Sequence, residues 1–261
     1  MQLVDTHSHL YLGLFDADRD QVIKQANEKG ICKILLPNID SHTIRPMNQM
    51  TEAYPGVCFA MMGLHPTAVK ENYREEFEII RKELVSGNYI AIGEIGIDLY
   101  WDKIRLREQC LVLEQELDLA LKMDKPVVIH ARESFDEIFE MLQPYAGKGI
   151  KGVFHAFSGT SLQAMDAVEM GFLIGIGGMV TYKNSGLVKT VQEVDISHMV
   201  LETDSPFLSP VPNRGKRNEP AYMTYVAETV AKLKSLDINE IALATTANAL
   251  KLFGLKNEDE R

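Results

Sequence analysis

Eight short apolar runs alternate with segments of helical period along this 261-residue chain, and that alternation limits the fold more than any other feature. Val, Ile, Leu and Phe concentrate at residues 2–6, 32–37, 57–63, 89–93, 126–129, 152–154, 172–176 and 199–203, which reads as eight strands. Helical segments follow over 16–28, 43–54, 74–85, 105–123, 134–143, 161–169, 186–191 and 219–233, and a further one over 238–252 closes the chain. The runs are apolar nearly throughout, as a parallel sheet covered on both faces requires. Eight strand-then-helix units in this length give the count of a (β/α)8 TIM barrel. A doubly wound sheet is the rival, but it would not usually gather polar residues from so many strand ends around one centre. No linker-like or low-complexity stretch divides the chain, so residues 1–261 read as one domain long enough to bury a sizeable core. The acidic end, residues 257–261, is expected to fray.

Composition narrows the partners. A formal net charge of −10 argues against coating nucleic acid through a broad basic surface. It leaves a nuclease open, because bound divalent cations and a local basic loop can supply the positive field. The apolar runs are too short to cross a bilayer, and Asp5, His7 and His9 interrupt the N-terminus before a secretory segment could form. Three cysteines, an odd count without ligand or redox spacing, argue against a disulfide framework. A cytoplasmic protein that makes no membrane contact is the expectation.

The strand ends carry the chemistry. Residues i and i+2 of a strand share a face, so His7 and His9 leave the first strand side by side, within reach of one metal ion. The third run ends in Gly-Leu-His65-Pro, the fourth in Gly-Glu94-Ile-Gly-Ile-Asp98, the fifth in His130-Ala-Arg132, the sixth in His155-Ala-Phe-Ser-Gly, and the eighth in Glu202-Thr-Asp204-Ser-Pro. In a (β/α)8 barrel these C-terminal ends form one rim, which would bring five of the seven histidines to one mouth. Two metals close together repel unless anionic ligands lie between or beside them. Glu94, with two oxygens, can bridge. His7, His9 and Asp204 can then complete one shell, and His130 and His155 the other. Metal binding lowers the pKa of water from about 15.7 towards about 7, which yields a nucleophile near neutral pH. Asp204 can also act as the base that orients or deprotonates that water.

These segments, with the loop Asn213-Arg214-Gly-Lys-Arg217-Asn218-Glu-Pro after the last strand, resemble the TatD family of metal-dependent hydrolases from the first residues to about Leu255. The resemblance implies an amidohydrolase-like barrel, a cytoplasmic location and two divalent metals (Mg²⁺, Mn²⁺ or Zn²⁺). It implies DNase activity of the 3′→5′ exonuclease type, with single-stranded DNA ends suiting a confined mouth. It also implies that Glu94 bridges, that His7, His9 and Asp204 hold one metal, and that His130 and His155 hold the other. His65, Arg132, Arg214 and Arg217 are then candidates for phosphate contact. Relatives with a carboxylated-lysine bridge would want Lys where Glu94 stands. An ester or amide hydrolase, such as a D-aminoacyl-tRNA deacylase, is a second reading of the same site. A metal-stabilised interaction module is a third, against which the complete ligand set argues.

The remaining polar residues divide less sharply. His65 can instead shape the turn before Pro66, and Asp98 can orient a ligand or cap the helix near Ile104. His42 and His198 lie away from the strand ends and read as structural or solvated; Met61 and Met62 read as core. Arg214, Lys216 and Arg217 form a compact basic cluster, where Gly215 allows close approach to an anion. Tyr100 and Trp101 can stack on an unpaired base, or Trp101 can pack on the rim as a lid.

Overall fold

The computed structural model describes residues 1–256; the 257–261 end lies outside the described residues. The strands are β1 (Leu3–Asp5), β2 (Ile31–Pro37), β3 (Cys58–Met61), β4 (Ile92–Asp98), β5 (Val127–Arg132), β6 (Gly152–Phe154), β7 (Phe172–Ile176) and β8 (Met199–Leu201). Helices α1 (Arg19–Glu28), α2 (Ile44–Ala53), α3 (Tyr73–Ser86), α4 (Leu106–Met123), α5 (Phe135–Leu142), α6 (Ser161–Glu169), α7 (Leu187–Glu193) and α8 (Met223–Lys234) follow them in turn, and α9 (Ile238–Phe253) comes last. All strand pairs are parallel and in chain order, β1 to β3 and β4 to β8. The two arcs join into a ring. Ile90 N–H donates to the Ala60 carbonyl (3.0 Å) and Gly93 N–H to Met62 (3.1 Å) at one seam. At the other, Thr6 N–H donates to Leu201 (3.1 Å) and Asp204 N–H to His7 (2.8 Å). This is the (β/α)8 barrel.

Side-chain alternation sorts the apolar strand residues into two shells. Val4, Leu35, Met61, Ala91, Val128, Val153 and Val200 form an inner cluster with Leu173 packed on it, while Leu3, Ile34, Leu36, Val127, Ile129 and Phe154 belong to an outer cluster under the helices. The runs are continuous because both faces are buried. Ala249 and Phe253 of α9 belong to the inner cluster, and Thr246 Oγ1 donates to the Gln2 carbonyl, so α9 closes the N-terminal mouth. Its start is fixed by a capping box, Asp237 with Glu240, and α6 starts on Thr160 with Gln163 in the same way. Among the described residues no helix is long and apolar enough to cross a membrane.

Two boundaries differ from the sequence reading in ways that matter. β4 begins later than residue 89 and runs to Asp98, so Glu94 and Asp98 lie within the strand instead of beyond it. Ile95 pairs with Ile129 and Gly96 with His130, which continues the ladder past the first carboxylate. α8 begins at Met223, not 219, because a short turn over Pro220–Tyr222 precedes it and Glu219 is engaged by Arg217.

Candidate metal centre

Moving two residues along each strand from the inner cluster reaches the site layer: His130 follows Val128, His155 follows Val153, Gly175 follows Leu173 and Glu202 follows Val200. The glycine makes room. A Cβ at Gly175 would stand 2.5 Å from Glu202 Oε2, so any larger residue would displace that buried carboxylate. β1 is anchored by Asp5, whose Oδ1 accepts from His7 N–H (3.3 Å) and Thr203 N–H (2.9 Å) and whose Oδ2 accepts the Thr203 hydroxyl (2.6 Å). Burial pushes the Asp5 carboxyl up to about 8 despite those hydrogen bonds.

Glu94 sits at the centre. Its Oε2 lies 3.1 Å from His7 Nε2 and 3.7 Å from His9 Nε2. Its Oε1 lies 2.7 Å from His130 Nδ1, 3.0 Å from His155 Nε2 and 3.1 Å from His65 Nε2. Asp204 Oδ1 stands 3.5 Å from His9 Nε2 and 3.8 Å from His7 Nε2. Asp204 adopts the left-handed conformation (φ 56°), which costs an L residue about 1–3 kcal/mol and is held by its N–H on His7 and by Phe207 N–H on its carbonyl. Burial alone would raise the Glu94 carboxyl, but the surrounding histidines hold it well below its usual range. Burial likewise opposes ionisation of Asp204, and the histidines around it, His9 first and then His155 and His7, outweigh it.

The ring tautomers follow from what lies behind each histidine. The Tyr11 hydroxyl donates its one hydrogen to the Pro37 carbonyl (2.6 Å), so it accepts from His9 Nδ1–H (2.7 Å). His9 therefore turns an unprotonated Nε2 to the centre, 3.3 Å from the same atom of His7. His130 meets Asp98 Oδ2 at 2.8 Å through Nε2, and the two carboxylates beside it raise its pKa against the effect of burial. His155 stacks on His7 with ring centroids 3.7 Å apart and has Glu202 Oε1 3.5 Å behind its Nδ1; against burial, Glu94 and Glu202 hold its pKa well above the ordinary value. His65 differs. Its Nδ1 accepts from Thr67 N–H (3.1 Å), which leaves an N–H at Nε2 facing Glu94, and burial lowers its pKa.

This donor set suits divalent cations: carboxylate oxygens and imidazole nitrogens converge on one centre. Three overlapping groups lie close enough to hold an ion, namely His7 with His9 and Glu94, His7 with His155 and Asp204, and His65 with Glu94 and His130. All seven residues come together at one mouth. Asp98 also accepts the Tyr100 and Trp101 N–H groups, whereas the turn at Ile104 is capped by Asp102. Residues that sequence reasoning left without a role are Tyr11, Asp5 and Glu202. The i, i+2 spacing of Glu202 and Asp204 is the signal that could have found Glu202. His42 and His198 stand apart from the centre, His42 exposed and His198 half-buried.

The four phosphate candidates separate. His65 and Arg132 line a cavity of about 590 Å³ over the centre. Arg217 does not line it: its guanidinium is engaged by Asp18 (2.9 and 2.7 Å), Glu219 (2.9 Å) and the Leu14 carbonyl (2.7 Å). Its partner Asp18 is 199 residues away in the chain, invisible to any local reading. Arg214 lies over the Tyr182 ring at 4.4 Å, also outside the cavity lining.

A parallel (β/α)8 barrel that gathers histidine and carboxylate donors at its C-terminal mouth defines the class of metal-dependent barrel hydrolases. The family model described as TatD related DNase matches residues 4–254. The chain belongs to that family. Metal-dependent hydrolase YabD of Bacillus subtilis (strain 168) is 36% identical over 252 residues, covering 96% of this chain and 98% of that protein. A protein of Erwinia tasmaniensis named 3'-5' ssDNA/RNA exonuclease TatD is 30% identical over 247 residues, covering 92% and 95% respectively. The crystal structure of YjjV, the TatD homolog of Escherichia coli K12, has a TM-score of 0.91 at 28% identity and covers 97% of this chain and 98% of its own.

Proposed function

We propose that the rim binds two divalent ions (Mg²⁺, Mn²⁺ or Zn²⁺) and hydrolyses phosphodiester bonds of DNA from single-stranded 3′ ends, in the cytoplasm. The observation that carries this reading is Glu94, whose two oxygens each face a separate histidine set. His7, His9 and Asp204 would hold one ion, and His130 and His155 the other, with Glu94 between them. Bound ions would supply Lewis acidity, lowering the pKa of water towards about 7 and neutralising phosphate charge. The chain's own residues do the rest. Asp204, held ionised by its histidine neighbours, orients the attacking water through Oδ1 and takes its proton. His65 offers its Nε2–H to a phosphate oxygen, and the Thr67 backbone amide fixes that tautomer. The name of the Erwinia relative supports a nucleic-acid substrate.

End-labelled single-stranded DNA, incubated with metal-loaded protein, tests the proposal beside a chelated sample and Glu94→Ala. A ladder shortening from the 3′ end, abolished in both controls, is the expected result. An intact oligonucleotide with metal occupancy established would overturn it and favour ester or amide substrates for the same centre.

A further inference from the structure

Beside the centre, the turn after β4 exposes two large aromatic side chains in succession. Trp101 is 67% exposed and Tyr100 51%, and Trp101 lines the same cavity as His65 and His130. Packed lid residues would be covered; these are open. The two rings meet edge to face at 5.0 Å. The guanidinium of Arg132, from the end of β5, lies 4.0 Å over the Tyr100 ring and 5.7 Å from that of Trp101. Stacking on the two aromatics holds the guanidinium of the exposed Arg132 by its face.

The turn is built to stay in place. Asp98 Oδ1 accepts both the Tyr100 N–H (3.0 Å) and the Trp101 N–H (2.8 Å), while its Oδ2 reaches His130. Gln109, buried on α4, accepts from Asp98 N–H (2.8 Å) and donates to the Asp102 carbonyl (3.0 Å). One carboxylate thus sets the distance between the aromatic turn and the metal-facing imidazole. A rigid π surface with an adjoining cation, positioned over a phosphate-cleaving centre, matches the flat face and neighbouring phosphate of an unpaired nucleotide.

We infer that Trp101, with Tyr100 and Arg132 behind it, is a stacking platform that holds the unpaired base next to the bond being cut. The inference rests on the nucleic-acid reading above and adds how the strand end is gripped. Stacking accepts any base, so the platform gives a preference for unpaired over paired ends without sequence preference.

Trp101 is the chain's one tryptophan, so its fluorescence reports the platform directly. Two probes are titrated into the metal-loaded protein: a hydrolysis-resistant phosphorothioate thymidine hexamer and its abasic counterpart with the same backbone. The hexamer should quench Trp101 fluorescence and bind roughly 10- to 100-fold more tightly than the abasic strand. Trp101→Ala should bring the two affinities together, and Trp101→Phe should restore most of the difference. Equal affinities with unmoved fluorescence, in a protein that still cuts DNA, would overturn the platform alone. Failure of both probes to bind and of DNA to be cut would overturn the nucleic-acid reading and the platform with it.

Discussion

Tyr11 fixes the hydrogen on His9, and through it the lone pair that the ring turns to the centre. Removing the hydroxyl in Tyr11→Phe leaves His9 Nδ1 without its acceptor and frees the ring to rotate or change tautomer. Partners of this kind are worth about 10–100-fold in metal affinity or activity. Titration of Tyr11→Phe with Mn²⁺ should show a loss in that range with the fold intact by circular dichroism; unchanged affinity would remove Tyr11 from the centre. Glu116 acts at a distance. It is buried on α4, its Oε1 accepts from Leu64 N–H at 2.8 Å beside His65, and burial holds its carboxyl well above the ordinary 4.5. The folded chain therefore keeps a proton that the unfolded chain releases as pH rises through 4.5. Stability contributed at this position falls with rising pH above that point, by at most about 1.4 kcal/mol per pH unit for one proton. Denaturant midpoints measured at pH 5 and pH 7 should show the wild type losing ground to Glu116→Gln as pH rises. Parallel profiles would mean that Glu116 is ionised in the fold. The sequence revealed the residues that converge on the centre, because each ends an apolar run. Tyr11 and Glu116 stand behind them, supporting the site from other elements, and nothing local in the chain distinguishes such a tyrosine or glutamate from a solvated one.

At the scale of elements, periodicity located every strand and helix but misplaced the edges where function intrudes. β4 was expected to end at Gly93 because Glu94 and Asp98 break an apolar run. In the structure both carboxylates are buried inside the strand, with Ile95 and Ile97 covering the outer face. A buried carboxylate within a strand is affordable here only because histidines surround it. The role of α9 was equally hidden. Its amphipathic pattern marks it as a helix, yet its placement under the barrel depends on the ring having closed. Phe253, 5% exposed in the inner cluster, should cost about 3–5 kcal/mol when replaced by Ala. Equilibrium denaturation measures that loss; a change under 1 kcal/mol would mean that α9 is not a structural closure.

For the whole molecule, the lesson lies in what chain order can and cannot convey. The order of polar strand ends was enough to gather His7, His9, His65, Glu94, His130, His155 and Asp204 at one mouth, since a parallel barrel has only one C-terminal rim. Loops are not constrained that way. Arg217 follows β8 directly and belongs to the basic cluster, yet it clamps Asp18 and Glu219, while the exposed Arg132 reaches the cavity from β5. A chain of net charge −10 thus brings little positive charge of its own to its mouth, so the proposed binding of a polyanion would rest on bound cations. The most direct measurement of this account is the number of Mn²⁺ ions bound per chain, counted by calorimetric titration of the metal-stripped wild type and of Glu94→Ala. The account predicts two ions in the wild type and loss of tight binding at both positions in the variant. A single ion in the wild type, or two that bind Glu94→Ala undiminished, would contradict it.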